Sequence, residues 1–331
     1  MGNIKVKFAT TGTLIISVAL ILGLSGPTFA QGSQSAQSSP SSEAGQQSQP
    51  APSLAKPAQG NGQTQSQGNN QSSSPAQPQI SPQEVQAYET IQKETNPDKQ
   101  LQLVKDFQQK YPQSKLLTDV FFFGAEAAEQ KNDVPDALNY GEESLKLQPG
   151  NLRSLIVVAD LLPLPQALTG TPAQKHQQLS QSENDANRAL QILSNVQPPA
   201  NVPQAQFDST RKMIQAQLHA SLGMAHLEEA VLTPSPKGPD PSELSAAEQE
   251  FKSAVSSPQP NPQDYYRLGE VYARENKLDD AIGAFTQAAH LGQGTVMANL
   301  ANHMVAQLQA EKAKSQPPAK TAQPTAPNGQ Q

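Results

Sequence analysis

Residues 265–291 read YYRLGEVYARENKLDDAIGAFTQAAHL. The stretch lacks the alternation of apolar and polar residues that marks a strand, and its apolar positions recur three and four apart, as on one face of a helix. Tyr265, Leu268, Gly269 and Tyr272 stand in its first half; Ala281, Phe285 and Ala288 stand in its second. A polar break separates the halves, so the pattern predicts two helices joined by a short turn. The fold then depends on whether this unit occurs once or in series.

It occurs in series. Ala281, Phe285 and Ala288 have counterparts 34 residues upstream in Ala247, Phe251 and Ala254. Leu268-Gly269 matches Leu222-Gly223, 46 residues upstream, and the surplus of 12 equals the segment VLTPSPKGPDPS at 231–242, read as a loop insertion. Phe121, Gly124-Ala125, Ala137, Ser144 and Pro149 form a further copy without an insertion. The run LRSLIVVADLL (152–162) reads as the first helix of the next unit, and Ala186, Leu190 and Leu193 mark its second. Ala186 lies 49 residues after Ala137, so this unit holds 15 extra residues, placed in the Pro-, Gly- and Thr-rich stretch near 163–177. Residues 82–114, with Leu101, Val104, Phe107 and Pro112, read as a degenerate first copy.

A 34-residue period carrying Y-x2-L-G-x2-Y and then A-x3-F-x2-A closely resembles the tetratricopeptide repeat (TPR) family. The resemblance is strongest at 262–295, although Gln293 stands where the family usually closes the second helix with Pro. It implies an all-α fold, a TPR-type helical-hairpin solenoid winding as a right-handed superhelix over 81–312, with 296–312 as a terminal capping helix. Gly269, Ala281 and Ala288 are then small where helices cross closely, and Tyr265, Leu268, Tyr272 and Phe285 fill the space between units.

Family members bind peptides or protein segments on the concave face, lined by the first helix of each unit. Carried onto this chain, that face comprises Phe122, Glu126 and Glu129 with Asp119; Asp160 with Arg153 and Ile156; Gln217, Ala220 and Met224; and Tyr266, Glu270 and Arg274 with Gln263. The family branch that grips C-terminal carboxylates uses Lys and Asn at certain of these sites. Aromatic, apolar or acidic residues stand at the sites matching Tyr266 and Glu270, which speaks against that mode. Acidic groups interspersed with Phe and Tyr suit a basic or mixed segment with an apolar anchor.

The ends of the chain have a different character. Lys5 and Lys7 precede the apolar run LIISVALILGL (14–24); Ser25, Gly26 and Pro27 break it, and TFA ends at Ala30. This layout predicts a signal peptide, 1–30, cleaved after Ala30, with an uncleaved anchor as the alternative. Residues 31–80 carry only Glu43 and Lys56 as charges and only Leu54 and Ile80 as large aliphatics, so a disordered Gln/Ser/Pro-rich linker is expected there. The stretch 313–331 reads as a disordered tail. The expected location is the periplasm or the exterior of a bacterial envelope, with membrane contact only if the leader is retained.

Other chemistries find little support. The net charge of −6 argues against nucleic acid as a partner. The chain has no Cys, which removes disulfides, thiolate chemistry and Cys-ligated metal. No G-x-S-x-G, H-E-x-x-H or glycine-rich phosphate loop is present. His219 and His226, seven apart, invite a metal reading, but they align with Tyr265 and Tyr272 and are read as packing rings. No catalytic, cofactor-binding or metal residue and no small-molecule substrate is assigned, and no enzyme is expected. The leading expectation is an exported scaffold of the cell envelope that binds a protein or peptide. A structural spacer or self-associating array is the alternative, and a metal-dependent enzyme using the histidines is the third.

Overall fold

The computed structural model describes residues 80–236 and 238–315. The expected signal peptide (1–30), the expected linker up to residue 79 and the tail from 316 onward lie outside the described residues. Helices α1 (Pro82–Lys93) and α2 (Pro97–Lys110), α3 (Leu117–Gln130) and α4 (Val134–Leu147), α5 (Leu152–Leu161) and α6 (Pro172–Asn195), α7 (Gln204–Leu232) and α8 (Pro241–Val255), and α9 (Pro262–Arg274) and α10 (Leu278–Leu291) form five hairpins; α11 (Val296–Ser315) follows. No strand occurs among the described residues; one isolated bridge joins Ser235 and Gly238.

Prolines and asparagines that punctuate the sequence turn out to start helices. Asn96 and Asn261 accept backbone N–H bonds as N-caps, from Lys99 and Gln263, and the proline after each opens the helix. Ser81, Asp133, Asn151, Thr171 and Asp240 cap five more. The side chain satisfies a donor that the first turn leaves unpaired, and proline at the first position lacks the donor altogether. The turns inside the second and fifth hairpins share one construction. Asn132 and Asn276 adopt φ of 58° and 60°, and the next N–H reaches back to close the helix, Asp133 to Ala128 and Lys277 to Tyr272, each at 2.9 Å. Asn tolerates this left-handed turn better than any other non-glycine residue.

Both insertions are more helical than their composition suggests. Thr171 and Gln174 form a reciprocal capping box, so α6 starts at Pro172 and only 162–171 is left between helices. Within 231–242, the first two residues finish α7 and the last two begin α8, capped by Asp240.

Each helix packs on the next, and the odd-numbered helices also touch one another in turn, from α1 to α11. The first helices of the hairpins therefore form one continuous row. Inside three hairpins a glycine of the first helix faces a ring of the second: Gly124 and Tyr140, Gly223 and Phe251, Gly269 and Phe285. A Cβ on Gly269 would lie 2.9 Å from Phe285 ring carbons, too close for any side chain. Ala281 and Ala288 are buried beside Phe285, and Leu268 is buried on the face toward α7 and α8. Tyr265 and Tyr272 are only half-buried.

Candidate functional site

The odd-helix row carries the residues expected to bind a partner, and the structure treats them in two groups. On α3 the segment Val120–Glu129 is buried on every side. Phe122 is 1% exposed, Glu126 6% and Glu129 4%. The Arg153 guanidinium, on α5, pairs with Asp119 and lies 4.2 Å from the centre of the Phe122 ring. These aromatic and acidic side chains form the floor of the row rather than its open surface. On α9 the expected residues are more accessible. Tyr266 is half-buried and meets Phe285 edge-on at 5.0 Å; Glu270 is half-buried and accepts a 2.7 Å bond from Arg267; Arg274 is exposed.

Burial raises four carboxyls along this row. Burial pushes Glu126 up to about 8, against the pull of Arg153. Glu129 also rises to about 8, first through burial and then through the neighbouring charges of Asp160 and Glu126. Asp160, half-buried as a residue but with its carboxyl deeply set, rises to about 6 although the Ser221 hydroxyl donates to it at 3.2 Å. Asp264, on the first turn of α9, rises to about 7 through burial and the proximity of Asp160. Neither oxygen of Glu129, nor Oε1 of Glu126, has a hydrogen-bond partner. Further along the row, Glu228 is raised by burial, offset by Arg267 and Arg274.

Asp264 and Ser221 were not anticipated as part of this face. Asp264 looks like an ordinary first-turn carboxylate favoured by the helix dipole; only its proximity to Asp160 reveals another position. His219 and His226 also differ from expectation. Both are half-buried and hold carboxylates of α8 rather than filling an apolar core: His219 Nδ1 lies 2.7 Å from Glu250, and His226 Nδ1 lies 2.8 Å from Glu243. His176 on α6 meets Glu229 of α7 in the same way at 2.8 Å. These pairs tie the 29-residue α7 to both its neighbours. Among the described residues no three His, Asp or Glu side chains are arranged to hold a metal ion.

The hairpin series, the glycine–ring contacts and the repeated asparagine turn establish the architecture. The fold is a TPR-type helical repeat. No family model matches the sequence and no curated protein matches it. Among solved structures, the chain is similar to TTC0263, a TPR protein of Thermus thermophilus, at 18% identity and a TM-score of 0.42, covering 69% of this chain and 96% of that one. It is also similar to MamA of Desulfovibrio magneticus RS-1 (41-end) at 15% identity and a TM-score of 0.39, covering 66% and 100%. A MamA RS-1 ArsTM double mutant gives 15%, 0.38, and coverage of 64% and 96%.

Proposed function

We propose that this protein is an exported scaffold whose odd-helix row binds a segment of another protein of the cell envelope. The observation that carries the reading is the continuous row of odd-numbered helices, which bears the buried, unpartnered Glu126 and Glu129 on α3 and the more accessible Tyr266, Glu270 and Arg274 on α9. A folded chain pays for such groups in stability, and a bound partner supplying positive charge and an apolar anchor offsets that penalty. Export is supported by the leader-like sequence ahead of Ala30.

Site-specific photocrosslinking in the source cell tests the binding surface. A photoreactive residue at Glu270 or Arg274 is expected to trap a discrete protein adduct, while the same residue at Lys105, exposed on α2, is not. Adducts from Lys105 alone, or from none of the three, would refute the proposed face. N-terminal sequencing of the fractionated protein tests export separately: a mature chain starting at Gln31 is expected, and an intact cytoplasmic chain refutes it.

A further inference from the structure

Two glutamates close α3. Glu126 and Glu129 lie about one helical turn apart and are 6% and 4% exposed. Neither oxygen of Glu129, nor Oε1 of Glu126, has a hydrogen-bond partner. No basic residue stands in the last turn of α3, so nothing there offsets the negative end of the helix dipole. Lys131, just past the helix, turns to Asp98 of α2 at 2.6 Å, with Asp133 and Asp136 also acting on it. From α5, Arg153 pulls on Glu126, but its guanidinium is held by Asp119 and stacked on Phe122, while Asp160 repels Glu129. From α1 comes the buried hydroxyl of Tyr88, and from α4 the ring of Tyr140 against Gly124.

We infer that α3 is a pH-released helix: it is seated while Glu126 and Glu129 are protonated, and their ionisation lifts its C-terminal half out of the row. A neutral carboxyl costs far less to bury than a carboxylate. Ionised, the two side chains would be like charges one turn apart, opposite Asp160, at the negative end of a helix and without water. Burial accordingly pushes both up to about 8. A carboxyl raised in this way favours the seated form most below its ordinary 4.5, and that advantage is lost as pH climbs through about 8, so release belongs to the alkaline side. The left-handed turn at Asn132, whose N–H reaches Glu129 at 2.8 Å, joins the moving end to α4 and serves as the hinge. Each repeat contacts only its neighbours, so α3 can release while α10 stays closed. Phe122, Glu126 and Glu129 are the α3 residues expected to face a partner, and release makes them reachable. That use rests on the scaffold reading; the release itself is a property of the chain alone.

Hydrogen exchange of the full chain, read by mass spectrometry at about pH 6 and about pH 9 and corrected for the pH dependence of intrinsic exchange, tests the release. Peptides from α3 are expected to lose at least about tenfold more protection than peptides from α10, whose buried residues are all apolar. Glu126→Gln combined with Glu129→Gln is expected to bring the α3 loss within about twofold of the α10 loss. Infrared difference spectra of the wild-type protein keep the test open if that variant fails to fold: bands of protonated carboxyls are expected at about pH 6 and gone by about pH 9. An α3 loss no larger than that of α10, an α3 loss that survives in a folded double variant, or spectra without protonated carboxyls at about pH 6 would each overturn the inference. None of these outcomes touches the scaffold reading, which photocrosslinking tests separately.

Discussion

Replacing Glu129 by Gln should stabilise the protein, and the gain should depend on pH in a stated way. The carboxyl is 4% exposed, has no hydrogen-bond partner, and titrates at about 8 in the folded chain against an ordinary 4.5. An acid raised on folding stays protonated in the folded state while the unfolded chain has already released its proton. Its stability contribution is therefore most favourable below pH 4.5, is lost progressively as pH rises, and levels off above pH 8. At pH 7 the penalty is roughly 3 kcal/mol, from about 1.4 kcal/mol per pH unit over the interval above 4.5. Gln fills nearly the same volume, gives up no existing hydrogen bond and carries no such penalty. With a urea slope of about 3 kcal/mol per molar, the midpoint at pH 7 should rise by about 1 M. Urea titrations followed by far-UV circular dichroism from pH 4.5 to 8.5 provide the assay. The wild-type curve should fall with pH; the variant should fall less, and the two should meet near pH 4.5. Parallel curves, or a wild type that gains stability between pH 5 and 8, would mean that Glu129 is solvated and ionised, and the buried floor would be wrong.

Three further perturbations probe the scaffold. Gly269→Ala places a Cβ 2.9 Å from Phe285 and should cost about 1–3 kcal/mol in denaturant unfolding; adding Phe285→Leu should recover part of that loss, because the two share one contact. Asn276→Ala forces alanine into a φ of 60° and should cost about 1–2 kcal/mol, whereas Asn276→Gly should leave the thermal midpoint nearly unchanged. A double-mutant cycle of His219→Gln and Glu250→Gln should give a coupling of about 0.5–1 kcal/mol, as expected for a partly exposed pair 2.7 Å apart.

The repeat was legible because its physics is local. Ala247, Phe251 and Ala254 repeat Ala281, Phe285 and Ala288 since each hairpin must solve the same close crossing with one ring and small residues around it. The burial of the expected face was not legible. The resemblance assigns Glu126 and Glu129 to an open helix face, and acidic side chains there are naturally read as solvated. The contrary signal lay in LTDVFFFGAEAAEQ itself: a helix apolar on nearly every side is buried, and its glutamates are buried with it. The partners of His219 and His226 were not legible, because each lies on another helix, with Glu250 a full 31 residues away. The extra turns of α6 escaped notice because Thr171-Pro172 looks like a break, when Thr171 is a cap and Pro172 a first helical residue.

The second hairpin shows what the repeat preserves. Its turn matches that of the fifth hairpin residue for residue, Asn132 to Asn276, and α4 begins and ends in that same register. In that register Gly269 aligns with Ala125 and Phe285 with Gly141, so neither member of the glycine–ring pair stands in its own column. Both have slid by one residue, to Gly124 and Tyr140, and the ring carbons still come within 2.9 Å of where a glycine Cβ would be. A slide in one helix alone would drive a side chain into the ring. Sliding both keeps the helices close and turns a different edge of the hairpin toward its neighbour. The column that the ring left is closed by the next unit: a Cβ on Gly141 would lie 2.8 Å from a Val158 methyl of α5. The same two hairpins face each other through α3 and α5, where Asp119 meets Arg153 and Glu126 matches Asp160. The displaced ring, the tight Gly141–Val158 contact and the buried acidic floor thus belong to one junction, and the departure from the consensus occurs where the chain carries its most unusual charges.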